Sequence, residues 1–307
     1  IFKNLKFCKQ DIITYNPNAV ILVDYPGFNM RIAKFLYENN IPVLYYISPQ
    51  IWAWKQSRVH KIKKYVSRMF VILPFEKEFY KKFNVDVTFV GHPLVDAVEN
   101  FKEHSALSRN DFISKHALDS NKIISILPGS RKQEIKVKLP IMLKAVENYS
   151  NYQIIIAGAP SLDIEIYNEV LKNYSNTKII FNDTYNLLNQ SFAALVTSGT
   201  ATLETALFNI PQVVCYKASW ISFQIAKRLV NIEYISLVNL ILNKEAVKEL
   251  IQTDLNHSTL SKEADKILDT EYRQKITDDY FSLKKLCGNR GASKLTANEM
   301  FKTISNL

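Results

Sequence analysis

The sequence predicts an α/β protein made of two Rossmann-like domains, with parallel sheets that face a shared cleft. Its 307 residues correspond to about two domains at roughly 150 residues each. Short β-branched runs alternate with longer helical patterns, which is typical of parallel sheets covered by helices on both faces. Only seven glycines occur. Five of them directly follow strand-like runs, where nucleotide-binding α/β proteins have their loops, namely Gly27, Gly91, Gly129, Gly158 and Gly199.

The first predicted domain covers residues 1–105. The chain begins with Ile rather than Met, so we expect a further N-terminal segment and an incomplete first domain. The elements predicted for this domain are strands at 19–25, 42–48, 68–74 and 87–91, and helices at 29–40 and 57–66.

The second predicted domain covers residues 106–280, and a C-terminal helical segment follows at 281–307. A polar stretch at 99–121 separates the two sets of strands and indicates the boundary. The strands predicted for the second domain lie at 123–130, 152–158, 177–182, 194–199 and 211–217.

Composition excludes several classes of protein and leaves a set of acidic partners. No apolar run approaches the ~18 residues of a membrane span. The three cysteines lie far apart and the five histidines show no metal-binding spacing, so we expect no disulfide framework, no metal site and a reducing cytoplasm. The net charge of +10 favours nucleic acid, phosphorylated substrates or an anionic membrane surface as partners.

Two segments of the second domain predict an anion site. In "LPGSRKQEI" (127–135) a strand and a Pro-Gly turn precede Ser130, Arg131 and a helix, so backbone N–H groups and a guanidinium can meet a phosphate. In "SGTATLETA" (198–206) Ser198, Gly199 and Thr200 begin a helix at a strand end. The alternative for both segments is an ordinary capped helix.

Three further residues of this domain are candidates for the same ligand. Glu204 lies about one turn into its helix, where an acid can accept hydrogen bonds from a ribose diol. Tyr216 and Lys217 end the following strand, and a lysine there can balance a diphosphate. The alternative for this pair is an ordinary strand-end surface.

"DYPGFN" (24–29) places an acid at a strand end of the first domain. Asp24 is a candidate general base for a hydroxyl group. The alternative is that Asp24 caps the helix that follows, although Asn29 can fill that role instead.

The segment 55–68 predicts a basic amphipathic helix. It carries six Lys or Arg residues and no acid, and its apolar residues recur at helical spacing. Trp52 and Trp54 stand just before it, which favours a membrane surface or a phosphorylated lipid. Nucleic acid has no further support because no recognition motif occurs. The alternative is a solvated helix covering the sheet.

Six segments together resemble the lipid A disaccharide synthase family. They are "DYPGFN", "YISPQIWAW", "LPFEKEFYKKFNVDVTFVGHPLVD", "LPGSRKQEI", "SGTATLETALFNIPQVVCYK" and "YISLVNLILNKEAVKELIQ", in the family's order over about residues 10–255. The resemblance implies a GT-B fold and an inverting glycosyltransferase that needs neither a metal nor another cofactor. It implies that UDP-2,3-diacylglucosamine and 2,3-diacylglucosamine 1-phosphate react to give the lipid A disaccharide and UDP.

The resemblance also implies roles for individual residues. Asp24 would be the base for the acceptor 6-hydroxyl, and Arg131 would hold the diphosphate beside Ser130. Residues 198–200 would line the nucleotide loop, with Glu204 on the ribose. The further residues implied to lie around the nucleotide are Tyr216, Asn239 and Glu245.

Three positions depart from the family pattern. The family's opening strand and its active-site loop do not precede "DYPGFN", which predicts little activity for residues 1–307 alone. Lys217 replaces a frequent arginine and loses the planar fork, and Val238 replaces a frequent proline.

The resemblance also predicts where the protein works and with what. We expect a cytoplasmic protein, peripheral to an anionic inner membrane, with Asn29, Trp52, Trp54, Lys61, Lys63 and Lys64 on the acceptor or membrane side. We expect no nucleic acid partner, and a homodimer stays open. The alternatives are another UDP-sugar enzyme, of the peptidoglycan N-acetylglucosaminyltransferase or UDP-N-acetylglucosamine 2-epimerase type, and a non-catalytic membrane-surface fragment.

Overall fold

A computed structural model describes residues 2–172, 174, 177–219, 223, 224, 228 and 233–306. The described residues form two compact units, each built around one parallel sheet. The first unit contains the described residues up to Asp96, residue 228, and those from Cys287 onward, and the second contains the other described residues. The division therefore falls after Asp96, whereas the sequence indicated a boundary after residue 105.

The first unit holds a four-stranded parallel sheet in the order β1-β2-β3-β4. Its strands are β1 (Val20–Val23), β2 (Val43–Tyr46), β3 (Arg68–Val71) and β4 (Val87–Phe89). Its helices are α1 (Phe2–Tyr15), α2 (Pro26–Glu38), α3 (Val59–Tyr65) and α4 (Glu76–Lys81), and α5 (Pro93–His104) leads from this unit into the second.

Successive strand residues of this sheet face opposite layers, as the pleat requires. Tyr45 and Met69 are buried with the helices α2 and α3. Leu44 and Phe70 are buried on the other face, where Met300 joins them. The C-terminal helix α14 (Ala292–Ser305) therefore covers that second face. The C-terminal segment, which the sequence left separate from residue 281, belongs to the first unit from Cys287 onward.

The second unit holds a six-stranded parallel sheet in the order β10-β9-β8-β5-β6-β7. Its strands are β5 (Lys122–Leu127), β6 (Tyr152–Gly158), β7 (Thr177–Phe181), β8 (Ser191–Thr197), β9 (Gln212–Tyr216) and β10 (Lys248–Ile251). Its helices are α6 (Arg109–His116), α7 (Lys132–Val146), α8 (Glu165–Leu171), α9 (Thr184–Gln190), α10 (Thr200–Leu207), α11 (Leu237–Leu242), α12 (His257–Leu268) and α13 (Thr270–Leu286).

The strand order of this sheet reverses between β5 and β8. The chain runs outward from β5 through β6 to β7, then returns to the other side of β5 and continues through β8 and β9. Open α/β sheets bind ligands at such a switch point, beyond the carboxyl ends of the strands. The topology thus points to the loops that follow β5 and β8.

In the described residues no helix combines the length and the apolar character needed to cross a bilayer. His, Cys, Asp and Glu side chains of the same residues form no group of three that could hold a metal ion.

Candidate functional site

A cavity of about 470 Å³ lies at the switch point of the second sheet. Loops that follow β5, β6 and β8 form its walls, together with the first residues of α7 and α10. Its lining residues are Leu127, Gly129, Ser130, Arg131, Glu134, Ala157, Gly158, Ala159, Pro160, Thr184, Thr197, Ser198, Gly199, Thr200 and Ala201. The structure therefore brings together five of the predicted site residues, at 130–131 and 198–200.

Two helices begin at this cavity without a side-chain cap. Arg131 precedes α7 and Gly199 precedes α10, and neither position makes a side-chain capping hydrogen bond. The Ser198 hydroxyl instead donates to the carbonyl oxygen of Ile235 at 3.1 Å. The capped-helix alternative is therefore not what the structure shows at 198–200. Uncapped N–H groups and the positive ends of two helix dipoles favour an anion here.

Glycine is required at the loop after β5. Gly129 has φ +114°, and a Cβ there would collide with the carboxylate of Glu134. Gly199 has φ +150°, and a Cβ on it would point into open space. The first glycine thus permits the loop to close on Glu134, and the second keeps the entrance to α10 uncovered.

Glu134 occupies part of the anion site in this structure. Its Oε2 accepts a hydrogen bond from the backbone N–H of Ser130 at 3.1 Å, and its Oε1 lies 3.8 Å from the Arg131 guanidinium. Lys138 is 2 % exposed, and its Nζ lies 4.0 Å from Glu134. Burial lowers the pKa of Lys138, while Glu134 raises it. The sequence alone did not single out either residue.

Arg131 and Thr197 have polar groups available to a ligand. The Arg131 side chain is 83 % exposed, so its guanidinium can turn toward a bound phosphate. Thr197 is buried in the cavity wall, and its hydroxyl has no hydrogen-bond partner among the described residues. A buried hydroxyl without a partner is costly, which favours a polar ligand in the cavity.

Glu204 lies one turn along α10 from the cavity. It is half-buried, and the Tyr185 hydroxyl donates a hydrogen bond to its Oε1 at 2.8 Å. Tyr185 follows the lining residue Thr184 and packs edge-on against the rings of Phe101 and Phe208. Burial, then the Glu204 charge, raises the pKa of Tyr185. The tyrosine therefore stays a neutral donor and fixes the orientation of the carboxylate.

Tyr216 and Lys217 follow at the carboxyl end of β9, outside the cavity lining. The Lys217 ammonium group donates to the carbonyl oxygen of Leu255 at 3.3 Å. Its neighbour Ala218 donates its N–H to the Gln252 side chain at 2.7 Å. The chain after β9 is thus tied to the end of β10, on the same sheet edge as the cavity.

Asn239 and Glu245, which the resemblance implies lie around the nucleotide, are not among the residues that line the cavity. Asn239 is fully buried, and its amide is occupied by Ala246, Val247 and Glu249. Glu245 is exposed and pairs at 2.7 Å with Lys248, the first residue of β10. It therefore lies at the amino edge of the sheet, opposite the edge where the cavity opens.

Glu249, which the sequence did not single out, connects the chain around Asn239 to the cavity. Its carboxylate accepts hydrogen bonds from the N–H groups of Ile235 and Ser236, at 2.9 Å each, and from the Ser236 hydroxyl at 2.7 Å. Ile235 in turn accepts the Ser198 hydroxyl. The signal in the sequence is an acid within the strand "KELI". Glu249 and Asn239 hold the loop against which Ser198 rests.

Asp24 and Asn29 define the candidate base of the first unit. Asp24 is exposed with φ +46°, and its carboxylate makes no hydrogen bond or ion pair with the part of the chain that the structure describes. The Asn29 amide donates to the carbonyl oxygens of Val23 and Asp24 at 2.9 and 2.7 Å. Tyr25, not Asp24, precedes α2. The capping alternative thus fails for both side chains, and Asn29 holds the backbone of Asp24.

The basic helix has the predicted two faces. Val59 and Ile62 are buried, while Lys61, Lys63 and Lys64 are exposed. It is shorter than expected, because a 3-10 turn at 56–58 precedes α3 and the strand β3 begins at Arg68.

The aromatic side chains before this helix are packed rather than projecting. Trp52 is half-buried and lies edge-on against Phe75, with ring centroids 4.9 Å apart. Trp54 is covered by Lys55 and Arg58, whose charged groups lie 4.9 and 4.6 Å from the ring. Of the predicted membrane-side residues, the lysines are therefore presented to solvent and the tryptophans are largely enclosed.

Comparison with known proteins identifies the family of this chain. A family model described as lipid-A-disaccharide synthetase matches residues 1–301. The lipid-A-disaccharide synthase of Syntrophus aciditrophicus (strain SB) is 38% identical over 297 residues, which is 94% of this chain and 76% of that protein. The enzyme of the same name from Coxiella burnetii (strain CbuG_Q212) is 36% identical over 316 residues, 100% of this chain and 81% of that protein.

Solved structures show the same fold at low sequence identity. The Staphylococcus aureus MnaA–UDP co-structure superposes with a TM-score of 0.71 at 14% identity, covering 99% of this chain and 81% of that one. The UDP-GlcNAc 2-epimerase of Neisseria meningitidis bound to UDP-GlcNAc gives 0.68 at 14% identity, covering 97% and 80%. With a GT-B fold and this family match over nearly its full length, the chain belongs to the lipid-A-disaccharide synthase family of glycosyltransferases.

Proposed function

We propose that this chain transfers 2,3-diacylglucosamine from its UDP donor to the 6-hydroxyl of 2,3-diacylglucosamine 1-phosphate. The observation that carries the proposal is the cavity at the β5/β8 switch point, where two uncapped helix N-termini meet a buried hydroxyl that has no partner among the described residues. UDP or UDP-GlcNAc is named as bound in two structures of the same fold. Family membership supplies the choice of sugar.

In this proposal the second unit holds the nucleotide. The N–H groups at the starts of α7 and α10 and the guanidinium of Arg131 bind the diphosphate, so Ser130 exchanges its Glu134 partner for a phosphate oxygen. Glu204 accepts the ribose hydroxyls. The same positive groups, with Lys217, stabilise the negative charge that develops as UDP departs.

Asp24 acts as the base for the acceptor. The oxygen of the 6-hydroxyl forms a bond to the anomeric carbon, its proton passes to the Asp24 carboxylate, and the bond from that carbon to the diphosphate breaks. The electron pair of that bond leaves with UDP, and attack from the opposite side inverts the configuration. An exposed carboxylate held by Asn29 through its backbone is suited to this role.

The deciding experiment measures UDP release from UDP-2,3-diacylglucosamine by a purified protein in which the family's opening strand and loop are joined to residues 1–307. We expect equal amounts of UDP and disaccharide when the acceptor is 2,3-diacylglucosamine 1-phosphate, and little release when the acceptor is deacylated. Epimerisation of UDP-GlcNAc at C2, without release of UDP to an acceptor, would instead favour the epimerase alternative. Failure to bind UDP in calorimetry would favour the non-catalytic alternative.

We also propose that the chain works at the cytoplasmic face of the inner membrane. Both proposed substrates carry two acyl chains, and the exposed lysines of α3 form a cationic surface suited to anionic lipid. A homodimer stays open, and light scattering on the purified chain decides it.

A further inference from the structure

Glu134 lies among the groups that are proposed to hold the diphosphate. It lines the cavity at the switch point, where its Oε2 accepts the Ser130 N–H at 3.1 Å and its Oε1 lies 3.8 Å from the Arg131 guanidinium. A carboxylate oxygen and a phosphate oxygen are both anionic acceptors, so they compete for the same donors. A diphosphate that binds to Ser130 and Arg131 must therefore displace this carboxylate.

The loop before α7 lets the carboxylate come this close. Gly129 has φ +114°, and a Cβ on it would collide with the Oε2 of Glu134 and lie 3.0 Å from its Cβ. A side chain at position 129 would require an unfavourable backbone conformation and would push the carboxylate away from Ser130. The conformation of the loop, and not the rotamer of Glu134 alone, thus brings the acid to the donors.

Lys138 offers the carboxylate a second cation. It is fully buried one turn further along α7, and its Nζ lies 4.0 Å from the Oε2 of Glu134. A buried ammonium group without a counter-charge is costly, so Lys138 keeps Glu134 near the cavity even when Ser130 has another partner. The carboxylate is then close enough to repel a bound phosphate, and it can return to Ser130 when the phosphate leaves.

We propose that Glu134 competes with the diphosphate of UDP for the Ser130 N–H and the Arg131 guanidinium, and that it thereby weakens UDP binding and speeds UDP departure. The proposal rests on the proposed function, since it assigns a role to a neighbour of the nucleotide site. The sugar donor and the product UDP share the diphosphate, so a site with positive groups alone would hold the product as firmly as the donor. An internal acid limits that affinity.

A purely structural role for Glu134 predicts a different result. An acid in the first turn of a helix stabilises the helix through its dipole and by reaching back to a backbone N–H, as in a capping box. If Glu134 only supports the loop, its removal loosens Ser130 and Arg131, and UDP binding weakens or stays the same. The sign of the change in affinity therefore separates competition from support.

The test measures the binding of three ligands to two variants at Glu134 and to a matched control. The ligands are UDP, inorganic pyrophosphate and uridine, and the protein is that of the UDP-release experiment. Glu134→Gln removes the charge but keeps an oxygen for the Ser130 N–H, and Glu134→Ala removes both. The control is Glu147→Gln, just after the other end of α7, where the acid is 31% exposed against 27% for Glu134.

We expect Glu134→Gln to bind UDP and pyrophosphate about 10-fold more tightly than the wild type in calorimetry, because the repulsion between carboxylate and phosphate is lost. Uridine affinity should stay within about 2-fold, and stopped-flow measurements should show slower dissociation of UDP. Glu134→Ala should also tighten both phosphate ligands, and Glu147→Gln should match the wild type. Unchanged or weaker UDP binding by either Glu134 variant would overturn the proposal, as would an equal gain for uridine or for the control.

Pyrophosphate separates this proposal from the proposed function. It has no base, ribose or sugar, so it reports on the anion donors alone. If UDP is neither released nor bound, the proposed function fails, and the pyrophosphate affinities of the wild type and Glu134→Gln still decide the role of Glu134. A gain of about 10-fold in the variant supports competition. Equal affinities, or no binding of pyrophosphate by either protein, overturn it.

Discussion

Glu204 is the residue proposed to bind the ribose of UDP. Tyr185 donates to one of its oxygens at 2.8 Å, and the residue lies half-buried beside the cavity. We expect Glu204→Gln to weaken UDP binding by about 1–3 kcal/mol, because a charged acceptor for ribose hydroxyls becomes a neutral amide. Isothermal calorimetry with UDP measures this, and the fold should survive.

Two further variants serve as comparisons for the UDP affinity of Glu204→Gln. Tyr185→Phe should cost less, about 0.5–1.5 kcal/mol, because it removes only the bond that orients the carboxylate. Glu165→Gln, at the exposed start of α8, should leave UDP affinity unchanged. Unaltered affinity in folded Glu204→Gln would leave Glu204 with a role in helix α10 alone.

Substitution of Asp24 is expected to slow the chemical step without changing the binding of UDP. In the proposed mechanism Asp24 takes the proton of the acceptor hydroxyl, so Asp24→Asn should lower kcat by about 10²–10⁴ while UDP affinity stays at the wild-type value. Asn keeps the size of the side chain, and the Asn29 amide donates to the backbone oxygens of Val23 and Asp24. Steady-state kinetics with both substrates decide the matter, and normal turnover would move the base to another residue.

At the scale of elements, α3 is expected to bind membranes through charge alone. The tryptophans before it are packed against Phe75, Lys55 and Arg58, so they add little apolar insertion. Each lysine near an anionic surface contributes about 1 kcal/mol. We expect binding to phosphatidylglycerol vesicles that falls steeply with salt, because salt shortens the Debye length.

Co-sedimentation with a triple variant tests this. Lys61→Gln/Lys63→Gln/Lys64→Gln should lose most of the vesicle binding, whereas Lys77→Gln/Lys81→Gln/Lys82→Gln should retain it. If salt and the first variant have no effect, α3 only covers the sheet of the first unit.

Helix α14 is expected to depend on one carboxylate. Asp96 accepts hydrogen bonds from the N–H groups of Gly291 and Ser293, at 2.6 and 2.9 Å, where α14 begins. Burial raises the pKa of Asp96, but these hydrogen bonds outweigh it and hold the pKa below the ordinary 3.8. Asp96→Ala should destabilise the first unit by about 0.5–2 kcal/mol at neutral pH.

The sign of the pH dependence follows from the lowered pKa. A carboxyl group whose pKa is lower in the folded state than in the unfolded state stabilises the folded state at pH values above its unfolded-state pKa. That contribution is lost as the pH falls through the folded-state pKa. The stability difference between wild type and Asp96→Ala should therefore shrink below about pH 3.8. A difference that is constant from pH 7 to pH 3 in denaturant titrations would contradict the charged cap.

At the scale of the whole molecule, the positions of the strands were predicted from the sequence better than the packing between distant segments. Nine strands lie where β-branched runs indicated them, and most of these strands are apolar because they are buried on both faces. The strand β1 is an exception, since Ile21 and Val23 are exposed. The tenth, β10, was missed because "KELI" contains two charged residues, one of which, Glu249, turns its carboxylate to a neighbouring loop. The packing of α14 on the first sheet depends on contacts between residues far apart in sequence, and local sequence patterns do not predict such contacts.

Some residues of the candidate site could likewise be predicted from the sequence, and others could not. Ser130, Arg131 and residues 198–200 follow strands, and parallel topology alone gathers such positions at one edge. Asn239 and Glu245 were assigned by resemblance alone and do not line the cavity, and Asn239 makes buried hydrogen bonds to the chain just before β10. Glu134 and Glu249 were missed because each accepts hydrogen bonds from backbone N–H groups that only the folded loops present.

Two glycines, Gly91 and Gly288, lie against each other where the last segment of the first unit begins. The chain leaves this unit after Asp96, and the last segment of the unit begins at Cys287, whose carbonyl oxygen accepts the His92 N–H at 2.8 Å. Gly288 has φ +90°, and a Cβ on it would lie 3.0 Å from the Cα of Gly91. A side chain there meets both an unfavourable backbone conformation and a backbone that cannot move aside.

Alanine substitutions separate these two costs. Gly291 also has a positive φ, +105°, but a Cβ on it would meet nothing within 4 Å. Gly291→Ala should therefore cost only the conformational strain, about 1–2 kcal/mol, and Gly288→Ala should cost measurably more. Hydrogen exchange of β4 and α14 measures the stability of the first unit directly. Equal costs for the two variants would mean that the close approach of Gly288 to Gly91 relaxes freely, and that backbone conformation alone requires glycine at the return.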